Sequence, residues 1–303
     1  MGSRGMPADE FETIARLFRP LTGGAPEALD LLDDAAVLPC RPGFDLVITK
    51  DAIVEGVHFL PGDPLDLVAR KLLRVNLSDL AAKAAEPYAY FLAVGWPEGA
   101  DRDAFARGLA EDGQAYGLNL LGGDTTAAPG SLFASVTMLG WVPEGRMVKR
   151  SGARPGHLLA VSGPIGDGFL GLKAARGELD DPALADRYRL PHPRTDLREP
   201  LRIHARAAAD ISDGLLADAG HLAEASGCRV HVDLDRMPLS PAGRRFGDRL
   251  ALATGGDDYE IVCALEAPLE GFTIVGEFTQ GEGVAVTRGG REITPERLGY
   301  RHR

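Results

Sequence analysis

Val75-Asn76-Leu77-Ser78-Asp79-Leu80-Ala81-Ala82 combines apolar helix formers, small side chains that let other backbone approach closely, and a single carboxylate. Helical spacing sets Leu72, Val75, Leu80 and Ala84 on a packing face. Asn76, Asp79, Lys83 and Glu86 fall near a common polar face, which alone reads as a solvated stripe. The helix is expected to start near Pro64 and to stop at Pro87, because proline has no amide hydrogen for a helix interior. The stretch gains interest from the rest of the chain, where aspartates recur in turns built from Gly, Ser and Thr.

Toward the N-terminus, residues 44–49 read as a strand running into Lys50-Asp51. Alternation puts Thr49 and Asp51 on one face and Lys50 on the other. The apolar run 31–38 contains Asp33 and Asp34, of which only one can face a shared site if the segment is extended. Phe11, Ile14, Ala15 and Phe18 have helical spacing and predict a short helix ending before Pro20. Toward the C-terminus, the pattern predicts a strand over 88–94, a helix over 101–116 and a short strand over 118–121. That last strand opens into a turn, Gly122-Gly123-Asp124-Thr125-Thr126, followed by a strand over 132–142. Two glycines before an aspartate let backbone approach a bulky anion while the carboxylate holds a cation.

Composition shifts at Pro143-Glu144-Gly145, so two domains are expected, 1–145 and 146–303. In the second, a strand over 157–162 is followed by Gly163-Pro164-Ile165-Gly166-Asp167-Gly168 leading into a helix. Ala209-Asp210-Ile211-Ser212-Asp213-Gly214 precedes a helical pattern from Leu215, with Ser212 or Asp213 available as its N-cap. A second turn, Gly255-Gly256-Asp257-Asp258-Tyr259-Glu260, precedes a strand over 261–265. The two Gly-Gly-Asp turns suggest a repeated half-domain.

The chain has 303 residues and is 45% apolar, enough for substantial cores. Its 44 acidic and 33 basic residues leave a net charge of -11, which argues against nucleic acid or an anionic membrane surface as partner. Cys40, Cys228 and Cys263 have neither disulfide-framework nor zinc-site spacing. With no long apolar run and no signal-peptide order at the N-terminus, a soluble cytoplasmic protein is expected. Met1-Gly2-Ser3 has the look of an expression remnant.

Asp33, Asp34, Asp51, Asp79, Asp124, Asp210, Asp213 and Asp257 lie in turns or at element ends, a pattern suited to hard cations with oxygen ligands. Magnesium fits better than calcium, whose loops gather their acids within about twelve residues. Two unit charges at about 4 Å repel by roughly 4 kcal/mol at an effective dielectric near 20, so an acidic protein that binds a nucleoside triphosphate needs cations at the phosphates. No Walker G-x-x-x-x-G-K-[ST], kinase H-R-D, G-x-S-x-G or H-E-x-x-H pattern is present.

The ordered set Asp33 to Val37, Thr49-Lys50-Asp51 with Glu55-Gly56-Val57-His58-Phe59, Val75 to Ala82, Gly122 to Thr126, Arg150-Ser151-Gly152-Ala153, Asp210 to Gly214 and Gly255 to Glu260 resembles the thiamine-monophosphate kinase family, among the aminoimidazole ribonucleotide synthetase-like enzymes. The resemblance spans nearly the whole chain. It implies an α/β (α+β) fold with an N-terminal mixed sheet, a C-terminal α/β domain, and a homodimer joined through the N-terminal sheets. It implies Asp34, Thr49, Asp51, Asp79, Asp124, Asp210 and Asp213 as ligands of several magnesium ions. Tyr116, Gly123, Asp124, Arg150 and Ser212 would contact ATP, and His58, Asp257 and Tyr300 would contact thiamine monophosphate. The implied reaction is direct transfer of the ATP γ-phosphoryl group, with no protein nucleophile.

Three positions depart from the family pattern: Leu32 replaces a glycine, Lys50 a small hydroxyl residue, and Asp257 a glutamate. The alternatives are another ATP-dependent enzyme of the superfamily and, motivated by Leu32 and Lys50, a nucleotide-binding regulator that has lost catalysis. The selenophosphate synthetase and maturation-factor variants carry a cysteine near one terminus, which neither Cys40 nor Cys263 matches.

Overall fold

A computed structural model describes residues 10–300, so Met1-Gly2-Ser3 lies outside the described residues. The chain forms two compact units, one of residues up to Asn76 with Pro87–Trp141, the other of Leu77–Glu86 with Val142 onward. The change-over thus falls at Val142, against the expected 145/146, and a ten-residue segment containing Asp79 belongs with the C-terminal half.

The first unit begins with α1 (Glu10–Thr13), a π turn over Ile14–Phe18 and 3-10 turns over Arg19–Thr22 and Pro26–Leu31, in place of one regular helix. It continues with β1 (Phe44–Val54), α2 (Leu65–Ala82), β2 (Glu86–Trp96), α3 (Arg102–Tyr116), β3 (Asn119–Ala127) and β4 (Phe133–Pro143). The sheet order is β1-β4-β2-β3, which leaves β1 and β3 at the edges. β2 and β3 pair in parallel, with α3 as the crossover that parallel pairing requires. The Asp101 side chain caps α3 by accepting from Ala104 N at 2.9 Å, and Gly117, at φ 67°, closes it.

The second unit contains β5 (Leu158–Val161), α4 (Asp167–Ala175), α5 (Pro182–Arg189), α6 (Arg198–His204), β6 (Ala205–Asp210), α7 (Leu215–Ser226), β7 (Arg229–Asp233), α8 (Pro241–Phe246), α9 (Arg249–Ala253), β8 (Ile261–Leu265), β9 (Thr273–Thr279), β10 (Gly283–Arg288) and β11 (Arg291–Ile293). Its seven strands run β11-β10-β7-β9-β5-β8-β6. Strand alternation feeds two cores: Leu159 and Val161 pack with Leu215, Leu216, Ala219 and Leu222 of α7, while Ala160 faces the other way with Ala208 and Cys263. Ala81, Ala82 and Ala84 complete this second cluster, so the small residues at the end of α2 bring its backbone close to the sheet. Two layered units of mixed sheet and helix give the expected α/β (α+β) architecture.

Helix α2 differs from its predicted form. Leu72, Val75, Asn76, Leu77, Ser78, Leu80 and Ala81 are all buried, so burial surrounds nearly the whole cylinder. It ends at Ala82, five residues before Pro87, where Ala84 takes a left-handed turn at φ 57° and Ala85 N reaches Leu80 O at 2.9 Å. Pro87 lies inside β2.

In the first unit, buried Asp112 of α3 accepts from Arg70 Nε at 3.0 Å and from Arg74 Nε and Nη2 at 2.6 and 3.0 Å. Removing the carboxylate takes the shared buried partner from both guanidiniums, so Asp112→Ala should lower stability by about 3 kcal/mol, read as a fall in the urea unfolding midpoint.

Candidate active site

In the first unit, Asp33, Asp34, Gly122, Gly123 and Asp124 line one cavity of about 520 Å³. The 31–38 run is not a strand. Leu29, Asp30 and Leu31 all take left-handed φ, and the chain then turns so that the Asp33 carboxylate accepts the Asp34 N–H at 2.8 Å. Both acids therefore reach the cavity, where alternation allowed one. Gly122-Gly123-Asp124 is likewise not a turn but part of β3, with Gly123 opposite Leu92 and Asp124 opposite Ala93. A Cβ on Gly123 would lie 1.9 Å from Leu92 O, so the glycine is what permits the parallel pairing at this point. Tyr116 does not line this cavity; it ends α3, with its ring 5.8 Å from the Arg74 guanidinium.

Thr49 and Asp51 are half-buried neighbours two apart on β1. Lys50 points the other way and donates to Ser135 Oγ at 2.9 Å and Thr137 Oγ1 at 3.4 Å on β4. The Asp51 N–H is held at 3.1 Å by Oδ1 of Asn76, whose own Nδ2 donates to Leu72 O at 2.9 Å. Asn76 is fully buried, so it is a structural amide and not part of a solvated stripe. His58 Nδ1 accepts from Val54 N at 3.1 Å, which puts the proton of the neutral ring on Nε2. Buried Lys71 donates to His58 O at 2.9 Å and fixes the same loop.

In the second unit, Asp210 ends β6, 5% exposed, and accepts from Ser78 Oγ at 2.8 Å. Ser78 is fully buried on α2, one residue before Asp79. The Lys83 ammonium donates to Ala208 O at 2.7 Å; burial pulls its pKa down to about 8, opposed by Asp210 and Asp79 and assisted by Arg150. These groups therefore share one electrostatic neighbourhood. Lys83, which helical spacing places on the solvated stripe, is instead drawn to a carbonyl, and Ser78, which that reading leaves out, meets Asp210. The usable signal was a hydroxyl and an amine bracketing Asp79 within an alanine-rich segment. Arg150 is exposed, and its backbone is held by Ser226 Oγ, which also accepts from Gly152 N and Ala153 N at 3.2 and 3.1 Å.

Neither Ser212 nor Asp213 caps α7. The N-cap is Gly214, and the orphan N–H groups of Asp213 and Gly214 are taken, each at 3.1 Å, by Oδ2 of buried Asp218 from within the helix. The Asp213 carboxylate is thereby spared that duty. Asp213, Asp218 and His221 place ligand atoms within 4.8 Å of one another. Asp218 is raised by burial, and the His221 side chain beside it is raised by that carboxylate.

The turns 210–214 and 255–260 interlock through backbone bonds: Ile211 N to Glu260 O at 2.7 Å, Tyr259 N to Ile211 O at 2.8 Å and Asp257 N to Ser212 O at 2.9 Å. A Cβ on Gly256 would meet Ser212 O at 2.4 Å. Fully buried Asp258 accepts from Gly166 N and Gly168 N at 2.8 and 2.9 Å, closing the start of α4, while burial pushes its carboxyl up to about 8. Glu260 accepts from Ser162 Oγ and Arg194 Nη1, each at 2.6 Å. Tyr300 is tied by its N–H to Asp213 O at 2.9 Å, so the C-terminal tail borders the same turn.

Residues 32–142 match the family described as AIR synthase related protein, N-terminal domain, and residues 154–293 match its C-terminal domain. The thiamine-monophosphate kinase of Caulobacter vibrioides is 59% identical over 98% of this chain and 91% of its own length. The crystal structure of thiamine-monophosphate kinase from Stenotrophomonas maltophilia K279a is 37% identical, covers 93% of this chain and 97% of its own, and superposes with a TM-score of 0.82. A structure described as AaThiL complexed with AMPPCP and TMP is 28% identical, covers 98% of this chain and 100% of its own, and has a TM-score of 0.77. On identity and coverage of this extent, the chain belongs to the thiamine-monophosphate kinase family of AIR synthase related proteins.

Proposed function

We propose that this protein transfers the γ-phosphoryl group of ATP to thiamine monophosphate, giving thiamine diphosphate and ADP, with several magnesium ions bound. The observation that carries the reading is the cavity in which Asp34 and Asp124 stand beside Gly122 and Gly123, carboxylates next to backbone open to a phosphate. The relative complexed with AMPPCP and TMP supports the choice of both substrates.

In this reading the magnesium ligands are Asp34, Thr49, Asp51 and Asp124 in the first unit and Asp79, Asp210 and Asp213 in the second. The donor set fits: all are oxygen donors, Asp213 is relieved of capping by Asp218, and Ser78 orients the Asp210 carboxylate. Bound magnesium supplies charge neutralisation at the phosphates. Gly123 and Asp124, Arg150, Ser212 and Tyr116 are the ATP contacts; a guanidinium suits a phosphate oxygen geometrically. His58, Asp257 and Tyr300 are the contacts to thiamine monophosphate. The acceptor phosphate is already ionised at neutral pH, so the residues position the two phosphates in line, and no side chain needs to remove a proton. A bond forms between an acceptor phosphate oxygen and the γ-phosphorus as the bond to the β-phosphate oxygen breaks.

The homodimer belongs to the same reading. β1 is an edge strand of its sheet, and Ile48 on it is 58% exposed, a large apolar side chain that a second sheet would cover. A cytoplasmic location agrees with the free thiols of Cys40, Cys228 and Cys263, and no helix among the described residues is long and apolar enough to cross a membrane.

Purified protein incubated with ATP, magnesium and thiamine monophosphate should form thiamine diphosphate; ATP binding without that product would support the regulator reading instead. Asp79→Asn should lower kcat by at least about a hundredfold and raise the magnesium concentration needed for half-maximal rate, checked by titrating magnesium in both proteins. Ile48→Asp should shift the protein from dimer to monomer in sedimentation velocity, and an unchanged sedimentation coefficient would remove β1 from the interface.

A further inference from the structure

Asp257 and Tyr259 both hold left-handed backbone, φ 66° and 52°, although neither is glycine. For a bulky aromatic residue this conformation is strained, and strain of this kind persists where surrounding structure enforces it. The enforcement is visible. The N–H groups of both residues are bonded to the 211–212 turn, and a Cβ on Gly168 would lie 2.2 Å from the Asp257 carbonyl oxygen, so that side of the backbone has no space to shift into. With the main chain fixed, the direction of the Asp257 carboxylate depends on its side-chain torsions. Tyr259 constrains those: its ring is buried, 8% exposed, and its hydroxyl donates to Asp257 Oδ1 at 3.0 Å. The hydroxyl bond shows that these side chains, two residues apart, meet on the same side of the turn.

We propose that Tyr259 is a positioning residue, whose hydroxyl holds the Asp257 carboxylate in the orientation that meets the cationic ring of thiamine monophosphate. This rests on the reading of Asp257 as an acceptor contact. It gives the shorter side chain a physical role: an aspartate lacks the reach of the glutamate more usual here but has one fewer torsion to fix, and the Tyr259 hydroxyl bond helps to fix it. A hydrogen bond to a charged group is worth about tenfold or more in binding.

The test is a double-mutant cycle with Tyr259→Phe, Asp257→Ala and the pair combined, measuring kcat and KM for each substrate. Tyr259→Phe should raise KM for thiamine monophosphate about tenfold, with kcat and KM for ATP held within about twofold, and should add nothing once Asp257 is alanine. An equal rise in both backgrounds would show that Tyr259 does not act through Asp257 and would overturn the proposal. So would an unchanged KM in Tyr259→Phe when Asp257→Ala raises it, or a Tyr259→Phe protein that does not fold. If Asp257→Ala itself leaves KM unchanged, the assignment of Asp257 fails and the proposal falls with it.

Discussion

Three backbone hydrogen bonds join the 210–214 turn to the 255–260 turn, and the placement of the second unit's polar groups follows from them. They require carbonyls to approach where a side chain would stand, which is why glycine occupies positions 214 and 256. Once joined, the pair presents Asp210, Ser212, Asp213 and Asp257 from one rigid element. The buried carboxylates behind it serve the scaffold: Asp258 closes α4, Glu260 gathers Ser162 and Arg194, and Asp218 takes the loose amides at the head of α7. An acidic sequence thus divides its acids between two jobs, and burial separates them. The fully buried acids build the frame, while Asp79, Asp213 and Asp257 stay half-buried, as the proposed ligand roles need.

Much of this was legible in the chain because glycine and aspartate carry strong local preferences. The order of elements from β1 to β4 and the opposed directions of Lys50 and Asp51 both follow from spacing and alternation. The two Gly-Gly-Asp sequences show the limit. One is a strand and the other a turn, since in β3 the glycines serve close parallel pairing with Leu92, and a partner strand thirty residues away is invisible locally. β6 escaped notice for a related reason: Ala205–Asp210 contains no β-branched or aromatic residue, and it is a strand because β8 lies beside it.

Asn76 departs from the expected solvated stripe because a helical wheel assumes one wet face. Asn76 and Ser78 are dry, and each satisfies a group far along the chain, Asp51 in one case and Asp210 in the other. Lys83 is drawn in by Ala208 O. Polarity in a helix of this kind signals a hydrogen-bonding partner as much as exposure. Asp33 makes the converse point: an acid read as one member of an alternating pair instead bonds its neighbour's amide, so the main chain turns and both acids reach the same cavity.

Helix α2 is also shared property, since its residues through Asn76 belong to one unit and those from Leu77 to the other. No single cut of the gene can therefore yield two intact halves. A fragment starting at Val142 would expose the alanine-lined surface of Ala160 and Ala208 that Ala81, Ala82 and Ala84 cover, and would lack Asp79 as well.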